Sequence, residues 1–260
     1  MAGQKGVLIN TQRFIADVLK NRNNAAILQR LDQLALPDAW LVAGCLFQTV
    51  WNLKSGQAPE TGIRDYDIFY FDERDLSEAA EAQINARAAA LFADLGVPLE
   101  VKNQARVHTW YEAYFGRPYA PLTSTYEGID RFLVDCTSIG IRRIGDPADA
   151  QYEVYAPNGL IDTYSGVLVC NSTFDNGDLF DRKCRDYLVR WPWLTVQESD
   201  FSATESDEVL RLTPRDQQTF ADALLMPPAQ SPTLKRAFES ASKLIQRQST
   251  QFTTNVVKIR

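Results

Sequence analysis

The 260-residue sequence contains one histidine, His108. That excludes zinc centres built on paired imidazoles and histidine-rich phosphohydrolase sites, so any metal chemistry must run on carboxylates. Cysteine is sparse as well. Cys45, Cys136, Cys170 and Cys184 show no C-x-x-C spacing and sit in apolar or helical stretches, a pattern of buried reduced thiols rather than a disulfide framework. Long apolar runs are missing: Ala39 to Leu46 is far shorter than the roughly 20 residues that cross a bilayer. The opening Met-Ala-Gly-Gln-Lys lacks the apolar block of a signal peptide. Together these absences give the expectation of a cytoplasmic protein with no membrane association. No basic cluster stands out, and a net charge of -6 argues against broad binding to nucleic acid or to an anionic surface.

What is present is an ordinary globular composition, 45% hydrophobic and 23% charged, at a length that supports one large domain or one domain with an appendage. The acidic excess is local. Residues 60 to 100 hold ten acids and three bases, which accounts for the whole imbalance.

Apolar positions at helical spacing predict helices around Phe14 to Leu19 and Ala26 to Leu34, the second ended by Pro37. Trp40 to Ala43 reads as a buried strand, and Gly44 opens a helical pattern through Leu53. After a loop at Lys54 to Gly62, residues Tyr66, Ile68 and Tyr70 alternate with Asp67, Phe69 and Phe71 as a strand. Ser77 caps an Ala-rich helix that Gly96 stops. Leu99 to Lys102 is a short strand, followed by a helix expected from about Ala105 to Tyr114. Strand signals recur at Ile139 to Ile144, Tyr152 to Ala156 and Val167 to Cys170, before a helix over about Asp178 to Val189. The fold class is α/β, a mixed sheet with flanking helices. From Phe201 the character changes, placing a boundary near residue 200: a body over residues 1–200 and a helical tail over 201–260.

Asp65 and Asp67 lie two apart on one strand, so both side chains leave the same face of the sheet a few ångströms apart. Carboxylates held that close repel unless a cation sits between them, which points to a divalent metal. Glu100 on the next strand supplies a third carboxylate if the two strands are neighbours. Gly44 opens a helix whose first amides favour phosphate. Three acids on adjacent strands beside such a helix start are the layout of a two-metal phosphoryl or nucleotidyl transfer site.

The segments LVAGCLFQTVW (Leu41 to Trp51), GIRDYDIFYF (Gly62 to Phe71), LEVKNQARVH (Leu99 to His108), YAPNGL (Tyr155 to Leu160) and KCRDYLVRWPW (Lys183 to Trp193) resemble a bacterial nucleotidyltransferase-like family of the DNA polymerase β superfamily. The resemblance implies a polymerase β-type fold and a site in which Gly44 and Cys45 take the glycine-serine place, Asp65 and Asp67 the metal pair, and Glu100 the third acid. It implies two magnesium (or manganese) ions, a nucleoside triphosphate as substrate, and an acceptor hydroxyl on RNA, protein or a small molecule. Two departures stand out: Cys45 replaces the usual serine, and Gly44 precedes Asp65 by 21 positions, a longer separation than is common there.

Lys102, Asn103 and Arg106 follow Glu100 closely and are candidates for triphosphate or acceptor groups. His108 reads as structural rather than as a proton shuttle. Lys183 and Arg185 could meet a phosphate, with a charged outer helix face the stronger reading, and Trp191-Pro192-Trp193 reads as a packed helix terminus. In the tail, Leu212 to Asp216, Phe220, Ala223 to Leu225, Pro227-Pro228 and Leu234 to Ala237 resemble the toxin-binding end of bacterial antitoxins that neutralise acetyltransferase toxins. Thr213 and Pro214 suit the N-cap and first turn of a short helix there. That resemblance implies a protein partner for residues 210–245, and an alternative function as a catalytically inactive, antitoxin-like binding protein.

Overall fold

A computed structural model describes residues 11–145, 150–172 and 177–197, apart from the side chains of 177 and 178. The helical tail, with its Thr213 cap, therefore lies outside the described residues. The chain divides between Phe201 and Ser202, and everything described belongs to the first unit.

The body is a five-stranded mixed sheet in the order β3-β2-β1-β4-β5. Its strands are β1 (Trp40–Val42), β2 (Tyr66–Tyr70), β3 (Leu99–Asn103), β4 (Gly140–Ile144) and β5 (Gln151–Tyr155). Strands β2 and β3 run parallel, and the other pairs are antiparallel. A separate two-stranded sheet joins β6 (Val167–Leu168) to β7 (Thr195–Val196). The expected strand to Cys170 is shorter than its apolar run because Cys170 makes only an isolated bridge, to Val134.

The period of two in each strand splits the apolar side chains between two faces. Leu41, Ile68, Val101 and Ile141 face the main core. There they meet α1 (residues 11–18), α2 (Arg22–Arg30), α3 (Gly44–Lys54), α4 (Glu78–Leu91) and α8 (Gly177–Arg190). Between α4 and α8 come the short helices α5 (Tyr111–Phe115), α6 (Thr125–Asp130) and α7 (Ile161–Ser165). Trp51, Trp191, Phe47 and Tyr187 stack edge to face or tilted at the α3–α8 contact, with ring centroids 4.7 to 6.2 Å apart. The opposite face carries a smaller cluster of Trp40, Val42 and Ile129, which α6 helps cover.

Two local expectations are corrected. The predicted helix over Ala105 to Tyr114 is a 3-10 segment, Gln104–Thr109, followed by α5. The Asn103 side chain accepts the Ala105 amide and sets a tight turn at the end of β3, so a continuous helix does not start there. The second N-terminal helix tightens into a 3-10 turn at Leu31–Leu34 and stops at Ala35 (φ 51°), two residues before Pro37.

Two α4 side chains finish the outer edge of the sheet. Asn85 both donates to the Val101 carbonyl (2.8 Å) and accepts from the Val101 amide (2.9 Å). Glu81 accepts from the Asn103 amide at 2.8 Å.

Candidate active site

Tyr66, between the two aspartates, anchors the site. Its side chain is 1% exposed and its hydroxyl accepts from Asn23 Nδ2 at 2.9 Å, so the start of β2 is tied to α2. Asn21 caps α2 through the Asn23 and Asn24 amides and donates to Thr49 on α3. Asn24 donates to the Cys45 carbonyl at 3.0 Å. This buried polar lattice fixes α2, α3 and β2 against one another. With Tyr66 held inward, the pleat turns Asp67 to the other face.

On that face the parallel register sets Asp67 directly beside Glu100, and the antiparallel register sets Val42, at the end of β1, beside Asp67. The chain leaves Val42 through Ala43, whose φ of 63° and ψ of -139° fall in a region costly for any residue but glycine. Gly44 then opens α3. The first amides of an α-helix have no intrahelical partner, and those of α3 emerge beside the acids.

Asp65 stands just before β2 and is exposed. Asp67 is mostly buried, and its carboxyl is pushed up to about 7, first by burial and then by the negative charges of Asp65 and Glu100, against the pull of Lys183 and Lys102. Asp65 and Glu100 thus both act electrostatically on Asp67. Among the described residues no group of three or more His, Cys, Asp or Glu side chains is gathered closely enough to hold a metal ion as it stands. In donor type the cluster still suits a hard divalent cation, which takes carboxylate oxygens. A cation beside Asp67 would relieve the repulsion from Asp65 and Glu100.

The other sequence candidates divide. Lys102 shares the face of Glu100, and its Nζ lies 3.8 Å from Glu100 Oε2 in an exposed pair. Asn103 and Arg106 are not brought to the acids. Asn103 shares the inward face of Val101 and bonds both backbone groups of Asp72. Arg106 is held at 2.6 Å by Glu81 with both side chains nearly buried (10% and 12% exposed), and it also donates to the Leu76 carbonyl. Cys45 is wholly buried, and its thiol points back to the Val42 carbonyl at 3.3 Å. Burial, with the charges of Asp67 and Asp65, pushes that thiol well above its ordinary range. At this position the backbone, not the side chain, faces the site. His108 lies in the 3-10 segment beyond the far end of β3, and its Nδ1 is buried with no hydrogen-bond partner among the described residues.

Lys183 is exposed on α8, as an outer helix face should be, and it also lies close enough to Asp67, Asp65 and Asp186 for their charges to act on it. Nothing within its own helix signals that proximity, which depends on how α8 packs on the rest of the body.

A family model described as "Nucleotidyltransferase" matches residues 29–196. A second, described as "Antitoxin TacA 1-like", matches residues 196–243. No functionally curated protein matches the chain. Among solved structures, one described as revealing a CCA-adding enzyme head domain superposes with a TM-score of 0.60 at 24% identity, covering 72% of this chain and 96% of that one. At that identity the likeness concerns the fold, which is that of the polymerase β-type head domain.

Proposed function

The chain belongs to the nucleotidyltransferase family, and on that premise we propose that it moves a nucleoside monophosphate from a nucleoside triphosphate to an acceptor hydroxyl, with magnesium held by Asp65, Asp67 and Glu100. The observation that carries this reading is the in-register pairing of Asp67 with Glu100 beside the start of α3. Bound magnesium supplies charge neutralisation at the phosphates and a lowered pKa for the acceptor hydroxyl. The chain supplies position. β2 and β3 hold the carboxylates, and the free amides of α3 at Gly44 and Cys45 receive a phosphate oxygen. The acceptor oxygen joins the α-phosphorus as the bond to pyrophosphate breaks, and its proton leaves to water.

The test is transfer of label from each of four nucleoside triphosphates to RNA, protein and small-molecule acceptors, with magnesium, with manganese and with chelator. Activity is expected with either metal and lost in chelator and in Asp67→Ala. An Asp67→Ala protein as active as the wild type sinks the proposal.

The antitoxin-like match at residues 196–243 favours a second reading for the tail. Residues 210–245 bind a protein partner of the acetyltransferase toxin class, whether or not the body is active. Loss of a purified toxin of that class from the full chain on truncation at residue 200, with transfer activity retained, separates the two roles. Absence of any such binding by the full chain removes this one.

A further inference from the structure

The superfamily's glycine-serine hydroxyl is not available here. Cys45 occupies that place, its thiol is committed to the Val42 carbonyl, and it is 0% exposed. Beside the α3 amides, a site that takes a triphosphate then has room for a different donor where that hydroxyl would be. The α3–α8 contact provides one.

Aromatic side chains of α8 and the residue after it meet α3 in the same order along both segments, Tyr187 on Phe47 and Trp51, then Trp191 on Trp51. Arg190 donates to Gln48, and Trp191 donates to Asn52. Lys183 lies one turn before Tyr187 and two turns before Arg190, on the same stripe of α8. Following that stripe backwards carries Lys183 to the N-terminal end of α3, where Asp67 and the unpaired amides are. The charges of Asp67 and Asp65 acting on Lys183 agree with this placement. Yet Lys183 makes no hydrogen bond, and no ion pair within 4 Å, with any described residue. A cation near Asp67 and Asp65 that is paired with neither at close range is available to an anion bound beside them.

Gln48 adds a second donor. Arg190 Nη1 donates to Gln48 Oε1 at 2.7 Å, which fixes which end of the amide is which. Nε2 is thereby turned over Gly44, so close that a Cβ there would sit 2.7 Å from it. It donates to no described residue. Glycine at 44 leaves room for the amide to reach the start of the helix.

We propose that the Lys183 ammonium and Gln48 Nε2, the latter aimed by Arg190, bind the polyphosphate of the nucleotide in place of the missing hydroxyl. This rests on the nucleotidyltransferase reading above. Both groups touch substrate, whereas Arg190 acts through Gln48 as a positioning residue.

The test uses the full-length protein with magnesium. Dissociation constants are measured for the best-bound of the four nucleoside triphosphates, for its monophosphate, and for inorganic tripolyphosphate as competitor. The variants are Lys183→Gln and Gln48→Glu. The second still accepts from Arg190 but presents a carboxylate where the donor was. Each is expected to weaken triphosphate and tripolyphosphate by about 10- to 100-fold, the effect of losing a charged hydrogen bond. Monophosphate affinity is expected to stay unchanged in variants that still unfold cooperatively, and Lys183→Arg to recover most of the loss. If the wild type binds and turns over a triphosphate while either variant binds it equally well, or weakens the monophosphate equally, this inference fails and the family reading stands. A wild type that binds no triphosphate under any condition overturns both.

Discussion

Removing the charge at Asp67 should make the metal-free protein more stable, and the size of the effect follows from its surroundings. An aspartate ordinarily titrates near 3.8, and here burial with the charges of Asp65 and Glu100 raises it to about 7. The folded state therefore holds this proton more tightly than the unfolded chain does. Below about pH 4 both states are protonated and Asp67 costs nothing. Between about 4 and 7 the unfolded chain ionises while the folded one does not, so stability falls as pH rises. Above 7 the full cost is present. At about 1.4 kcal/mol per pH unit the gap sets a ceiling on the order of 4 kcal/mol. Denaturant unfolding in chelator, stepped from pH 4.5 to pH 8, should show the wild type losing roughly 2 to 4 kcal/mol relative to Asp67→Asn. Magnesium at pH 8 should raise the wild-type midpoint and leave that of Asp67→Asn nearly unmoved, because only a ligand of the folded state stabilises it. Parallel pH profiles for the two proteins would refute the reasoning, since they would mean that Asp67 carries no electrostatic strain for a cation to relieve.

Two further outcomes follow from side chains that lie apart from the acids. Arg106→Ala strands Glu81 in a nearly buried pair, and should cost about 3 to 5 kcal/mol in denaturant unfolding without nucleotide; a loss within error of zero would return Arg106 to the list of substrate ligands. Thiol labelling of the native protein, read by mass spectrometry, should modify Cys170 first. Cys170 is only partly buried, whereas Cys45, Cys136 and Cys184 are buried, with Cys136 and Cys184 both pushed up to about 12 chiefly by burial. Early labelling of Cys45 would contradict its placement under the site.

The parts of the site visible in sequence are those fixed by local rules. Alternation in Tyr66 to Tyr70 gives the strand and its two faces, and the strand-glycine-helix run at Trp40 to Leu53 gives the start of α3. The same alternation, carried one strand further, separates Glu100 and Lys102 from Val101 and Asn103. The candidacy of Asn103 conflicts with the pleat for that reason, and Arg106 follows it away from the acids. The remaining parts depend on contacts between distant segments. Nothing within α8 says that its Tyr187 end meets α3, because that is decided by Tyr187 and Trp191 filling the space beside Phe47 and Trp51. The Asn21, Asn23 and Asn24 lattice reads as three polar residues at a helix start until Thr49 and Tyr66 arrive as partners. The short helices α6 and α7 carry too few residues for a periodic signal.

The two α4 side chains at the rim of β3 have a consequence for how these molecules meet one another. A strand at the end of a sheet normally offers a row of bare amides and carbonyls on which a neighbour's strand can grow, the first step towards aggregation. Asn85 and Glu81 occupy the outward-facing groups of Val101 and the Asn103 amide as a sixth strand would. The middle of the strand that carries Glu100 is thus covered on its outer side by its own crossover helix. An exposed acid can then stand at the border of the sheet with fewer bare backbone groups beside it on which another chain could pair.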